Sequence, residues 1–393
     1  MLKVNFEKCT GCGACVQRCP KQCISWTTKE FGFRYPQIDK QRCINCGLCE
    51  QVCPIDKPLN MKLEQKAFAA VHKDFNVLAK STSGGAFTAI ADAIFSREGI
   101  VYGVAMTVNM QVKHIRTTNK NEFAALRSSK YVQSDTGSTY KMVERDLRLG
   151  RIVLYSGTPC QINGLKHFLR KNYENLYTVD IVCHGVGSQA YFDKYMDFAR
   201  ERYGTIKTLR FRSKEYAGWS CGGVVVVVVV SNSDRVKKIP YRDFDNYYYS
   251  YFLSGDIYRK SCYSCKYANT RRVGDFSLGD YWGIETLNLP LKTDNGCSLI
   301  LINNRHAMEL LDGMDDLYKV ETTIDQAARC NKQLNMPSML PGCRKKRLKE
   351  FETMSGNEIQ EVYLKTHRKY IIKGRLKAIL PYRIKLFIRG QRK

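Results

Sequence analysis

A chain of 393 residues with 44% hydrophobic content is too long for one small module and suits two or three domains, each able to bury a core. Its formal charge of +26 fits nucleic acid, an anionic membrane or acidic partners alike, but no recognition motif or aromatic platform accompanies the basic residues, which argues against nucleic acid. No run approaches the ~18 apolar residues of a membrane span, and Met1-Leu2-Lys3-Val4-Asn5 lacks the apolar core of a secretory leader, so the expected compartment is the cytoplasm.

Residues 1–62 are dense in Cys, Gly and Pro, and one motif occurs in them twice. Cys9, Cys12, Cys15 and Cys19-Pro20 repeat as Cys43, Cys46, Cys49 and Cys53-Pro54. Three thiolates at this spacing wrap one face of a cubane, while the proline turn directs the fourth away. In bacterial two-cluster proteins that fourth cysteine serves the other cluster. The spacing therefore predicts one 4Fe–4S cluster on Cys9, Cys12, Cys15 and Cys53, and a second on Cys43, Cys46, Cys49 and Cys19. A zinc knuckle or a disulfide scaffold does not account for two copies of this pattern, and thiolates ligate iron only where they stay reduced. The expected fold is an α+β ferredoxin-like domain, in which Cys23 is a spare packed thiol.

Cysteine then vanishes until Cys160, which marks a boundary; the following parts are read as 66–146 and 150–318. Ser81-Thr82-Ser83-Gly84-Gly85 precedes an amphipathic helix carrying Phe87, Ile90 and Ile94, with a strand from Ile100. Backbone N–H groups at such a helix start suit a phosphate, although Ser-Gly-Gly is equally an ordinary cap. Ser128 to Ser134, with Lys130 and Tyr131 inside it, suits a dinucleotide or a surface loop. Strands are expected at 152–155 and 179–182, each running into a helix, the second from about Gln189 to Tyr203. Their alternation with helices predicts an α/β region with a largely parallel sheet, whose ligands sit beyond the carboxyl ends of the strands. The valine run from Val224 to Val230 reads as a buried strand.

Cys160 and Cys183, at two such strand ends, can converge with Cys262 and Cys265 to give four thiolates. A third cluster, a zinc site and unrelated buried cysteines all fit that pattern, and Cys221 competes for any vacant position. Asp275 and Asp280 read as turn caps, and His184 as an acid–base group or a structural hydrogen bond. Cys297, Cys330 and Cys343 carry no reading. The segment 319–393 is expected to be a basic helical tail, with sixteen Lys and Arg against four Glu from Arg344 onward. Its last part, from Tyr370 to Ile388, interleaves apolar and basic residues around Pro381. Such a segment suits either the headgroup region of an anionic membrane or packing on its own domain.

Six motifs in order now identify a resemblance: Ser-x-Ser-Gly-Gly-x-Phe, Ser-Lys-Tyr-Val-Gln-Ser, Ser-Gly-Thr-Pro-Cys-Gln, Val-Cys-His-Gly, Ser-Cys-x-x-Cys-Lys and Gly-Asp-x-x-Leu-Gly-Asp-Tyr-Trp-Gly. From residue 1 to about 315 the chain resembles the beta subunit family of coenzyme F-420 hydrogenases and dehydrogenases, with a ferredoxin module in front. The resemblance implies an α/β flavin-binding domain holding FAD, a third 4Fe–4S cluster on Cys160, Cys183, Cys262 and Cys265, and flavin contacts from Ser83, Gly84, Gly85, Lys130, Tyr131 and Ser134. It further implies an oxidoreductase that moves electrons between clusters, FAD and an unidentified acceptor, the deazaflavin coenzyme or another small molecule, for example one of surface-polysaccharide metabolism. The expected partner is an electron-donor protein such as a ferredoxin. The alternative is a non-enzymatic carrier that feeds a partner enzyme.

Overall fold

Each copy of the cysteine motif folds as one short helical turn, Ala14–Arg18 and Leu48–Gln51. Between them in sequence, β1 (Ile24–Thr28) and β2 (Arg34–Ile38) pair antiparallel. A computed structural model describes residues 4–55, 57, 66–219, 223–229 and 236–379.

After this small α+β module come β3 (Lys66–His72), the helix Ala86–Phe95, β4 (Ile100–Met106) and β5 (Val112–Thr117). Next, β6 (Val153–Gly157) leads into the helix Pro159–Leu169, and β7 (Leu176–Ile181) into the helix Gln189–Tyr203. A separate antiparallel sheet contains β8 (Thr205–Arg210), β9 (Gly223–Val229) and β10 (Val236–Arg242), so the valine run is its central strand. Finally β11 (Phe276–Asp280), β12 (Ser298–Ile302) and β13 (Leu317–Thr322) return to the large sheet.

That sheet has eight strands in the order β13-β3-β12-β11-β7-β6-β4-β5. Only its centre is parallel, through β11–β7, β7–β6 and β6–β4. The outer pairings are antiparallel, so the expected largely parallel sheet is in fact mixed. The cause lies in the connections. Parallel neighbours need a crossover helix, as between β6 and β7, whereas the short link from β4 to β5 can only make a hairpin. The inner strands are covered on both faces: Val153, Leu154 and Tyr155 are all fully buried, as central strands between helix layers must be.

Ile90 and Ile94 of the helix Ala86–Phe95 pack with Leu154, Val179 and Ile300 on one face. On the other face Tyr102, Tyr155 and Leu165 pack against Cys12, Ala14 and Val52 of the N-terminal module. The module is thus part of the core. Gln17 fixes it further, donating to Thr136 Oγ1 at 3.2 Å and accepting from the Tyr140 N–H at 2.9 Å.

The segment expected to be a basic tail begins with β13, inside the large sheet. Its helices Gly356–Thr366 and Arg368–Ile379 then bring Ile359, Tyr363 and Ile371 into a core rich in tyrosine. Among the described residues no helix is long and apolar enough to cross a membrane. Pro381, the residues after it and Cys221 lie outside the described residues.

Candidate redox site

Two cavities in the N-terminal module are lined by cysteine quartets. Cys9, Cys12, Cys15 and Cys53 face one; Cys19, Cys43, Cys46 and Cys49 face the other. The fourth cysteine of each motif therefore crosses to the other cavity. Burial pushes Cys12 up to about 12, with Cys9, Cys160 and Cys53 adding to the rise. Cys15 is raised by burial and by Cys12, Cys9 and Cys53. Buried thiols that repel one another's charge need cations to become thiolates together, and iron supplies them, so the donor set fits a 4Fe–4S cluster. Cys23 is buried with its Sγ 3.4 Å from that of Cys19.

A third quartet forms from distant parts of the chain. Cys160 sits in the first turn of the helix Pro159–Leu169, where Thr158 and Gln161 make a capping box. Cys183 follows β7, and Cys262 and Cys265 lie in and just after the 3-10 turn Lys260–Ser264. Burial raises Cys183, and Cys262, Cys160 and Cys265 raise it further; Cys262 is pushed up to about 12 by burial, then by Cys265 and Cys160. The four thiols thus share one place. Among the described residues no three His, Cys, Asp or Glu side chains gather closely enough for a single metal ion; around a cubane each thiolate binds its own iron and the sulfurs stand farther apart.

Why the loops meet is visible in the buried ion pair between Arg272 and Asp180, at 2.7 Å. Arg272 also donates to the Tyr267 and Ile181 carbonyls at 2.8 and 2.9 Å, and Asp180 accepts from the Gly274 N–H at 2.7 Å. Together these bonds tie the chain after Cys265 to the end of β7, just before Cys183. Lys266 reaches the Ile55 carbonyl at 2.9 Å and so attaches the same loop to the module. The helix that carries Cys160 packs on the first quartet: a Cβ at Gly164, one turn on, would stand 2.9 Å from Cys12 Sγ, and Cys160 and Cys12 share one packed cluster.

Beyond Cys183 opens a cleft of about 310 Å3, within the ~300–1,000 Å3 of most small-molecule sites. The carboxyl ends of β6, β7 and β11 form its floor, and the start of the helix Ala86–Phe95 forms one wall. Ser83, Gly85, Lys130, Tyr131 and Ser134 line it. Gly84 is turned away: its N–H donates to Ser298 Oγ at 2.9 Å. The Lys130 ammonium donates to the Ala125 carbonyl at 2.9 Å, and burial together with Arg210 pushes it down to about 7. The Tyr131 ring stacks on Phe252 with centroids 4.6 Å apart. Arg127 Nε is buried at this wall with no acceptor among the described residues. A buried donor lacking an acceptor, a lysine short of counter-charge and a helix start fit an anionic ligand such as a flavin dinucleotide.

His184 also lines the cleft, and burial lowers its pKa. Asp280 is more than a turn cap. It pairs with Arg212 in the cleft wall and accepts from Trp219 Nε1 at 2.8 Å. Asp275 is a structural acceptor for the N–H and hydroxyl of Thr178, each at 2.7 Å. Arg212 lines the cleft without any signal in the sequence, whereas Gln161 and Trp282 belong to two of the ordered motifs that had no role assigned to these positions.

Paired cysteine cavities built into an α/β unit with a deep cleft define an iron–sulfur electron-transfer protein. Residues 8–57 match the 4Fe–4S dicluster domain, and residues 150–326 match the C terminus of the coenzyme F420 hydrogenase/dehydrogenase beta subunit. Over residues 150–326 the chain is thus similar to that beta-subunit family, with a dicluster module in front. Among solved structures, a chain of the xenon-derivatised F420-reducing [NiFe] hydrogenase complex from Methanosarcina barkeri is similar at 16% identity and a TM-score of 0.41, covering 80% of this chain and 94% of its own. No curated protein matches the sequence.

Proposed function

We propose that the chain is an iron–sulfur flavoprotein oxidoreductase that carries electrons from a donor protein through three 4Fe–4S clusters to FAD in the cleft, and from there to a small-molecule acceptor. The observation that carries this reading is the position of the third cysteine quartet. Its Cys160 adjoins Cys12 of the module, and its Cys183 borders the cleft. Electrons then enter at the second quartet, where Cys46 and Ile44 are exposed beside Lys21, Lys40 and Arg42. That basic surface suits an acidic donor such as a ferredoxin.

A bound flavin supplies the exchange between single electrons and electron pairs. The chain's own residues bind and orient it. Backbone N–H groups near Ser83 and Gly85, with the dipole of the helix Ala86–Phe95, receive the phosphates. Arg127 and Lys130 supply charge, and Tyr131 supplies a ring face. The exposed Tyr370, Ile372 and Leu376, with the basic residues that follow, support peripheral contact with an anionic membrane. Anaerobically prepared protein is expected to release about one FAD per chain on denaturation. Tyr131→Ala should weaken FAD binding roughly tenfold through the lost aromatic contact. If complete holoprotein releases no flavin, the chain is a carrier subunit and its partner holds the chemistry.

A further inference from the structure

Arg259 is 1% exposed, and its side chain leaves the α/β unit to enter the ferredoxin module. Nε donates to the Cys9 carbonyl at 2.7 Å, and one terminal nitrogen to the Arg34 carbonyl at 2.9 Å. The other terminal nitrogen donates to Gln133 Oε1 at 3.1 Å, and Gln133 is held in turn by the Thr10 carbonyl at 2.8 Å. Cys9 Sγ lies 3.9 Å from the guanidinium, which also stands 4.1 Å from the centroid of the Tyr35 ring. The approach is close enough that a Cβ at Gly11 would come within 2.9 Å of a guanidinium nitrogen. The backbone of the same residue is bonded to the loops that carry the third quartet. Its N–H donates to the Val186 carbonyl at 3.0 Å, and its carbonyl accepts from the Cys262 N–H at 2.9 Å.

Three other buried or half-buried arginines have carboxylate partners: Arg272 has Asp180, Arg347 has Glu350 and Arg212 has Asp280. Arg259 has none among the described residues. An uncompensated buried cation is strongly unfavourable, and the anions within its reach are cysteine thiolates. The hydrogen bond from the Cys262 N–H to the Arg259 carbonyl also sets Arg259 at the edge of the Cys160 quartet.

We propose that Arg259 is the shared counter-ion of the Cys9 cluster and the Cys160 quartet, a positioning residue that holds the two together and raises their reduction potentials. The statement about Cys160 rests on the third-cluster reading above; the statement about Cys9 does not. Each transfer moves one electron from the cluster that is oxidised to the one that is reduced. No bond or proton moves, and Arg259 keeps its charge throughout. An added electron makes a cluster more negative, so a fixed cation beside it favours the reduced state.

The test is a redox titration of the anaerobically purified full-length holoprotein, followed by electron paramagnetic resonance, with iron counted in each variant. Arg259→Gln should lower the one-electron reduction constant of the Cys9 cluster at least tenfold, a shift of 59 mV. The Cys46 cluster should be unmoved, and Arg259→Lys should stay close to the unchanged protein. Gln133→Glu sets a carboxylate against the guanidinium with little change of shape, and should lower the same midpoint with iron retained. An iron-replete Arg259→Gln protein with an unmoved midpoint would overturn the proposal, as would an equal shift in Arg259→Lys. If Arg259→Gln loses its iron, Gln133→Glu decides, and an unmoved midpoint there overturns the proposal.

Discussion

At Gly84 the space that matters lies behind the cleft. A Cβ there would meet the Ala70 carbonyl oxygen at 2.1 Å and the Ser298 nitrogen at 2.4 Å, both parts of strands that cannot swing aside. Gly84→Ala is therefore expected to destabilise the fold by about 1–3 kcal/mol, measured by denaturant unfolding. His114 makes a pH-dependent contribution. Its ring stacks on Tyr155 at 5.0 Å, its Nε2 lies 3.0 Å from the Ser156 carbonyl, and burial pushes its pKa down to about 4. Between pH 4 and 6.5 the unfolded chain takes up a proton that the folded chain refuses, so stability falls as pH drops through that window. His114→Gln should flatten this part of the unfolding profile between pH 5 and 7; an unchanged slope would remove His114 as its source. The module's two cysteine quartets were legible in the sequence because their spacing states a ligand geometry, whereas the spacing of Cys160, Cys183, Cys262 and Cys265 fitted several readings. Arg212 and Arg259 were not, since the partners that define them are 68 and 250 residues away.

The strand-to-helix units show the same division. Apolar runs that end in Gly, Ser or Cys announced β4, β6 and β7, and the helix Gln189–Tyr203 lies where it was expected. The margins of the sheet were hidden because β3 pairs with β12, Ala70 opposite Ser298, and no local pattern encodes a pairing across such a separation. The loop carrying Cys262 and Cys265 depends on one buried ion pair. Asp180→Ala leaves the Arg272 cation buried without its partner, and should cost about 3–5 kcal/mol in urea unfolding. A loss below 1 kcal/mol, the range of exposed pairs, would show that the loop is held by other bonds.

Considered as a whole, the protein seats its ferredoxin module on the α/β unit and braces it from the C-terminal side, where Arg344 reaches Glu30 at 2.9 Å. The helix Arg368–Ile379 is anchored by buried Ile371 and by the ion pair of Arg375 with Asp245 at 2.8 Å. A shortened chain that tests membrane contact should thus end after Ile379, so that this packing survives. Full-length protein is expected to sediment with anionic vesicles at low salt and to release at high salt, and the shortened chain to stay in solution; equal behaviour would leave the tail a packing element. The central claim is a line of three clusters that ends at the cleft. Iron analysis of anaerobically purified protein tests it most directly, comparing the unaltered chain with the double variant Cys262→Ser, Cys265→Ser. About twelve irons per chain falling to about eight, with the module's two clusters intact, is the expected result; an iron count unchanged by the double substitution would contradict it.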